Sequence, residues 1–247
     1  VNGLLLALSW LTVLPLPARE VDARACRQAI ALAPLVGALL GAFGAALLWA
    51  LTALGAPGLL AGLLTVAAWA LVTRGMHVDG LADTVDGLGC YGPPERALSV
   101  MRDGGAGPFA VVALIVVVGV QASALAELAA SGQWFAAIAA CAVGRAAFVF
   151  CCRRGLPAAR PEGMGSLVAG TQPWWVVAAW WVVLLVGCAF ALPGAWWLGP
   201  VAVLLAGAFL LVFTAHVRRR FGGVTGDVLG AATELTTTLV LAVSVLG

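Results

Sequence analysis

Lysine is missing from this 247-residue chain, tyrosine occurs once, histidine twice, and charged residues of all kinds make up only 10%. Soluble domains carry about 25% charged residues, so a water-soluble globule is excluded. No Cys-x-x-Cys spacing occurs among the six cysteines, which argues against a zinc or disulfide framework. Cys141, Cys151, Cys152 and Cys188 instead lie in apolar segments and read as small core residues or free thiols. A net charge of +2 lacks the basic excess that a nucleic-acid partner needs. No basic stretch precedes the first apolar segment and no convincing cleavage site follows it, so no removable signal peptide is expected.

What the chain has is apolar length. Hydrophobic residues reach 63% and mean hydropathy is +1.07. Runs such as Val111–Val120 and Val176–Val186 do not alternate as barrel strands would, so the expected fold is an all-α, polytopic transmembrane helical bundle. The expected spans cover residues 30–54, 58–73, 108–130, 133–152, 174–192, 196–215 and 228–246, about seven in all. A shorter apolar segment, 3–14, ends at Pro15 and Pro17 and suits an interfacial or re-entrant helix. The connections near Gly55–Pro57, Ser131–Gly132 and Pro193–Gly194 predict tight, uncharged hairpins. No internal repeat or long linker divides the chain, so residues 1–247 are read as a single integral-membrane domain.

Arginine sets the orientation, because basic loops stay cytoplasmic. Of 13 basic residues, all arginine, 12 fall in four segments: Arg19, Arg24 and Arg27; Arg74, Arg96 and Arg102; Arg153, Arg154 and Arg160; and Arg218, Arg219 and Arg220. With seven alternating spans these segments share one face, and the uncharged hairpins share the other. Arg218–Arg220 read as topology signals that also meet anionic headgroups. Trp134, Trp174, Trp175, Trp196 and Trp197 begin spans, as an aromatic belt would. Arg145 is different: it sits inside a span and needs a functional or acidic partner.

The polar residues concentrate in the segment 74–107. Asp79, Asp83 and Asp86 stand at i, i+4 and i+7, so on a helix they share one face. Such crowded carboxylates favour a cation, and an all-oxygen set with one nearby histidine favours magnesium, which bridges carboxylates to substrate phosphates. His77 suits proton transfer or phosphate contact, and equally a structural hydrogen bond. Arg102-Asp-Gly-Gly-Ala-Gly107 and Gly222-Gly-Val-Thr-Gly-Asp227 each precede an apolar helix. Such places hold phosphate on backbone N–H groups, although Thr225 or Asp227 equally suits an N-cap. Glu234, two turns after Asp227, is expected to face the same site. With nearly all charges in loops on one face, the pattern argues against a transporter, which would place ionisable groups at mid-membrane.

The run His77-Val-Asp-Gly-Leu-Ala-Asp-Thr-Val-Asp-Gly87, followed by Met101-Arg-Asp103, resembles the signature of the cobalamin synthase family, the adenosylcobinamide-GDP ribazoletransferases. Leu11-Thr-Val-Leu-Pro-Leu-Pro17, Pro34-Leu-Val-Gly37, Arg160-Pro-Glu-Gly163 and Gly222-Gly-Val-Thr-Gly-Asp-Val-Leu-Gly-Ala231 extend the likeness in the same order over nearly the whole chain. In the second motif Gly104 stands where the family usually has serine, and Ala110 where a glycine is common. The resemblance implies joining α-ribazole, or its 5′-phosphate, to adenosylcobinamide-GDP with release of GMP. Displacement at a diphosphate needs charge neutralisation and positioning more than a covalent nucleophile, which suits the aspartate cluster.

On this reading Asp79, Asp83 and Asp86 hold magnesium, with Asp83 central. Asp103 completes the metal shell or acts as base, and His77 assists. Arg102, Arg160 and the stretch holding Gly223, Thr225, Gly226 and Asp227 bind phosphates or nucleotide. The expected setting is a bacterial or archaeal cytoplasmic membrane with the active face toward the cytoplasm, and the glycine-rich spans suit a monomer or a homo-oligomer alike. A CDP-alcohol phosphotransferase, the nearest rival enzyme, would need an arginine after Gly80-Leu-Ala and a longer gap between aspartates.

Overall fold

The computed structural model describes residues 2–16, 21–192 and 194–246. Pro17, Arg19 and Pro193, named above, lie outside the described residues. Among those described, the chain is built from helices and has no strand. In order these are α1 (Asn2–Leu11), α2 (Ala23–Ala53), α3 (Gly58–Val72), α4 (Met76–Gly89), α5 (Pro94–Val100), α6 (Pro108–Ala130), α7 (Trp134–Cys151), α8 (Met164–Val168), α9 (Trp174–Cys188), α10 (Leu198–Phe221) and α11 (Gly226–Ser244).

Five of them, α2, α6, α7, α10 and α11, are long and apolar enough to cross a membrane. The other two expected spans are shorter. Helix α3 has 15 residues and runs into α4 through a 93° bend, so the pair is a broken or re-entrant unit. Helix α9 also has 15 residues and stops at Cys188, short of residue 192. The remaining differences lie at helix ends. Helix α2 starts at Ala23 because Asp22 caps it, accepting the Ala25 N–H at 2.6 Å. Helix α10 runs to Phe221, so Arg218–Arg220 ride its last turn, where cations complement the helix dipole, before Gly222 closes it at φ +82°.

Helix α7 is the centre of the bundle, with 14 of its 18 residues buried. It can be surrounded because small residues let backbones approach. A Cβ at Gly37 of α2 would collide with the Cys141 carbonyl, and one at Gly41 would lie 2.6 Å from the Ile138 Cα. Gly144 does the same service toward Thr237 of α11. On the outside Leu59, Val112, Ile115, Val183 and Val212 are exposed, the apolar girdle that a bilayer covers.

Polar contacts tie the arginine-bearing ends of the helices into one face. Gln172 donates to the Arg27 carbonyl, Arg160 to that of Leu98, and Arg220 to those of Cys90 and Gly92. Two isolated bridges, Arg153 with Gln172 and Ala158 with Val224, align the intervening loops.

Candidate functional site

The α3–α4 elbow sets the position of the aspartates. Arg74 (φ +57°) and Gly75 (φ +67°) are successive left-handed residues, and a non-glycine residue there costs roughly 1–2 kcal/mol. The Arg74 side chain anchors the bend by donating to the Ser9 carbonyl of α1 at 2.7 Å. Helix α4 then lies beside the amino-terminal ends of α6 and α11. Gly80 permits the α11 contact, since a Cβ there would sit 2.7 Å from the Asp227 carbonyl oxygen. Gly230 serves similarly beneath the His77 backbone, at 3.1 Å.

The three aspartates share one helix as the spacing predicts, yet they differ in surroundings. Asp79 is exposed, while Asp83 and Asp86 are half-buried. Both Asp86 oxygens accept backbone N–H groups from the start of α6, Gly107 at 2.6 Å and Ala110 at 3.0 Å. Asp83 carries the electrostatic stress. Desolvation, and then the charges of Asp79, Asp227 and Asp86, push its carboxyl up to about 6, against a smaller lowering by Arg160. Asp227 thus belongs with the carboxylates as much as with the glycine-rich turn. Its position in the first turn of α11 follows from Thr225, whose hydroxyl caps Val228 at 3.2 Å and donates to Asp227 at 3.2 Å.

A cavity of about 590 Å3 opens here, lined by Asp79, Asp83, Arg74, Gly104, Gly105 and Leu114 among others. The glycine-rich turn 104–106 therefore faces the aspartates. Arg160 stands across from them, with Nη2 donating to the Leu98 carbonyl at 2.7 Å and a buried Nε without a partner. Burial lowers its pKa, and nearby Asp227 and Asp83 oppose that while Arg102 reinforces it. Asp103 is exposed, and its side chain makes no hydrogen bond or ion pair with the described residues. Gly223 packs on the Pro157–Ala158 backbone, and Thr225 is buried as the α11 cap, so neither lies open to a ligand.

His77 is not in the cavity wall. It is buried behind it, its ring 5.6 Å from that of Phe148, its Nδ1 3.5 Å from Arg145 Nη2 and 4.0 Å from Glu234 Oε1. Gln121 of α6, which no sequence signal singled out, donates to Glu234 at 3.0 Å and to Thr238 at 2.9 Å. Arg145 thus has the polar company its position demanded, and Glu234 turns to this inner cluster.

Whether magnesium suits the site follows from the donors. Among the described residues no three His, Cys, Asp or Glu side chains converge as a ready metal shell. Magnesium, however, takes only one or two carboxylates beside water and phosphate oxygens. Asp79 and Asp83 line one cavity and the latter is destabilised by its neighbours, so the oxygen donors fit such an ion, with Asp86 engaged at α6.

Comparison with known proteins bears on the whole chain. The family model described as cobalamin-5-phosphate synthase matches residues 3–245. The chain belongs to that family. Among curated relatives, a protein of Nocardioides sp. named adenosylcobinamide-GDP ribazoletransferase is 43% identical over 93% of this chain and 92% of its own length. Proteins of the same name from Stutzerimonas stutzeri and Corynebacterium efficiens are 39% and 37% identical, over 96% and 97% of this chain and 95% and 89% of theirs. No solved structure matches the chain. Neither the CDP-alcohol phosphotransferase nor the transporter reading gains support from these relatives.

Proposed function

We propose that this protein is an adenosylcobinamide-GDP ribazoletransferase, joining α-ribazole or its 5′-phosphate to adenosylcobinamide-GDP and releasing GMP. The observation that carries the reading is that Asp79 and Asp83 line one cavity together with the 104–106 turn, in a chain whose residues 3–245 match this family. In the reaction a ribose hydroxyl oxygen bonds to the phosphorus attached to cobinamide, the bond from that phosphorus to GMP breaks, and the hydroxyl proton passes to the carboxylate cluster. Asp79 and Asp83 are the residues to hold magnesium. That ion, when bound, supplies neutralisation of the diphosphate charge.

The remaining residues position and screen. Arg160 and Arg102 set positive charge beside the leaving nucleotide, and the 104–106 turn lets backbone approach phosphate closely. Asp86 keeps that turn in register through its bonds to Gly107 and Ala110. His77 acts through packing behind the site. The clustered arginines favour a cytoplasmic membrane with the cavity facing the cytoplasm.

The test is GMP release by purified protein given adenosylcobinamide-GDP and α-ribazole, with and without magnesium, beside Asp83→Asn. Release that needs the metal and falls by orders of magnitude in the variant is expected. No release from well-folded protein would sink the assignment, and release indifferent to magnesium would sink the metal role alone.

A further inference from the structure

A second polar cavity, of about 480 Å3, lies apart from the aspartate site and shares no lining residue with it. It is walled by Arg153, Arg154, Arg218 and Arg219, with Trp174 and Thr214. Its walls contain no carboxylate, and no Asp or Glu among the described residues lies within 4.0 Å of these four guanidinium groups. A rim of arginines enforcing topology would need no cavity and no fixed side chain. Here one side chain is fixed.

Arg153 Nη1 donates to the Phe150 carbonyl and Nη2 to the Thr214 hydroxyl, both at 2.9 Å. Its guanidinium also lies 4.3 Å from the centre of the Phe150 ring and 5.5 Å from that of Trp174. Thr214 is itself buried and donates to the Leu210 carbonyl at 2.7 Å, so the anchor is rigid. Those two bonds use two of the five N–H donors of the guanidinium and leave the others free. The Arg154 backbone is held as well, its N–H donating to the Gln172 carbonyl at 2.8 Å. Burial lowers the Arg153 pKa, so its charge is incompletely solvated.

We propose that this four-arginine cavity is a binding site for a phosphate-bearing anion, distinct from the transferase site. Arginine forks match phosphate oxygens in pairs, and a half-buried guanidinium without a carboxylate partner gains most from such a ligand. The volume falls within the range of small-molecule pockets, about 300–1,000 Å3, and is larger than a bare phosphate needs. Trp174, which lines the cavity, is exposed and begins the short apolar helix α9, so the phosphate belongs either to a lipid headgroup or to a soluble phosphate compound.

The experiment uses the full chain in neutral detergent and metal-free buffer. Retention of phosphatidylglycerol against phosphatidylcholine is read by native mass spectrometry, and pyrophosphate binding by titration calorimetry. Arg154→Gln with Arg219→Gln, both exposed and making no side-chain hydrogen bond to a described residue, is expected to weaken binding at least tenfold. Arg153→Lys, which keeps the charge but loses the fork, weakens it as well, while Arg220→Gln outside the cavity changes it less than twofold. Selective loss of phosphatidylglycerol assigns the site to lipid, and loss of pyrophosphate binding to a soluble ligand. Equal binding by wild type and the cavity variants, or no binding of either probe, overturns the proposal. Turnover is not the readout, so failure here leaves the transferase reading intact.

Discussion

The Asp86 carboxylate closes the amino terminus of α6, accepting the N–H of Gly107 at 2.6 Å and that of Ala110 at 3.0 Å. A residue of the aspartate triplet therefore serves as a helix cap for a segment 21 positions away. Loss of a cap costs about 0.5–2 kcal/mol. Asp86→Ala is expected to lower the melting temperature by a few degrees in detergent, and to reduce turnover by loosening the 104–106 turn. Asp79→Asn, which relieves repulsion on Asp83, should not lower melting; equal destabilisation by both would contradict the division of labour.

Asp83 supplies a pH prediction whose sign is unusual for an aspartate. Its folded pKa of about 6 lies above the ordinary 3.8, so the folded state binds the proton more tightly and stability falls as pH rises from about 4 through 6. Asp83→Asn removes that penalty. The variant should melt higher than wild type at pH 7.5, with the gain vanishing below pH 4, while losing activity. Millimolar magnesium should raise the wild-type melting temperature at pH 7.5 and leave the variant unmoved. A variant that melts lower at neutral pH would contradict the electrostatic reading.

Gly80 offers a steric test. A methyl group there meets the Asp227 backbone at 2.7–2.9 Å, which has no flexible end to give way, and overpacking of this kind costs about 1–3 kcal/mol. Gly80→Ala is expected to part α4 from α11 and cut turnover at least tenfold. Gly119→Ala, in open space on α6, is the matched control for thermal melting and activity.

The inner cluster separates structural from chemical roles. Leaving the buried Gln121 amide without its Glu234 acceptor costs about 1–3 kcal/mol, so Glu234→Ala should lower the melting temperature, whereas Glu127→Ala, on an exposed side chain, should be nearly silent. His77→Gln is expected to lower stability without shifting the pH profile of turnover. A lost limb in that profile would return His77 to proton transfer.

How much of this was legible depended on range. The i, i+4, i+7 aspartates announced α4 because the signal is local, and Arg145 announced a polar interior because a cation in a span must be accommodated. Gln121 gave no such signal, since an amide in an apolar helix does not reveal which way it faces. Asp227 joined the carboxylates only through the Gly80 and Gly230 crossings, where absent side chains decide the approach of two distant helices. Arg218–Arg220 extended α10 because arginine is a good helix former and its charge suits a carboxyl end, which hydropathy alone does not register.

The crossing of α4 with α11 has a consequence for the enzyme's surroundings. Asp227 travels with a spanning helix, whereas Asp79 and Asp83 travel with a short helix held by the elbow at Arg74 and Gly75. Spanning helices adjust their tilt to the thickness of the hydrocarbon around them. The spacing of the carboxylates is therefore expected to respond to lipid chain length, and turnover measured in bilayers of graded thickness checks it.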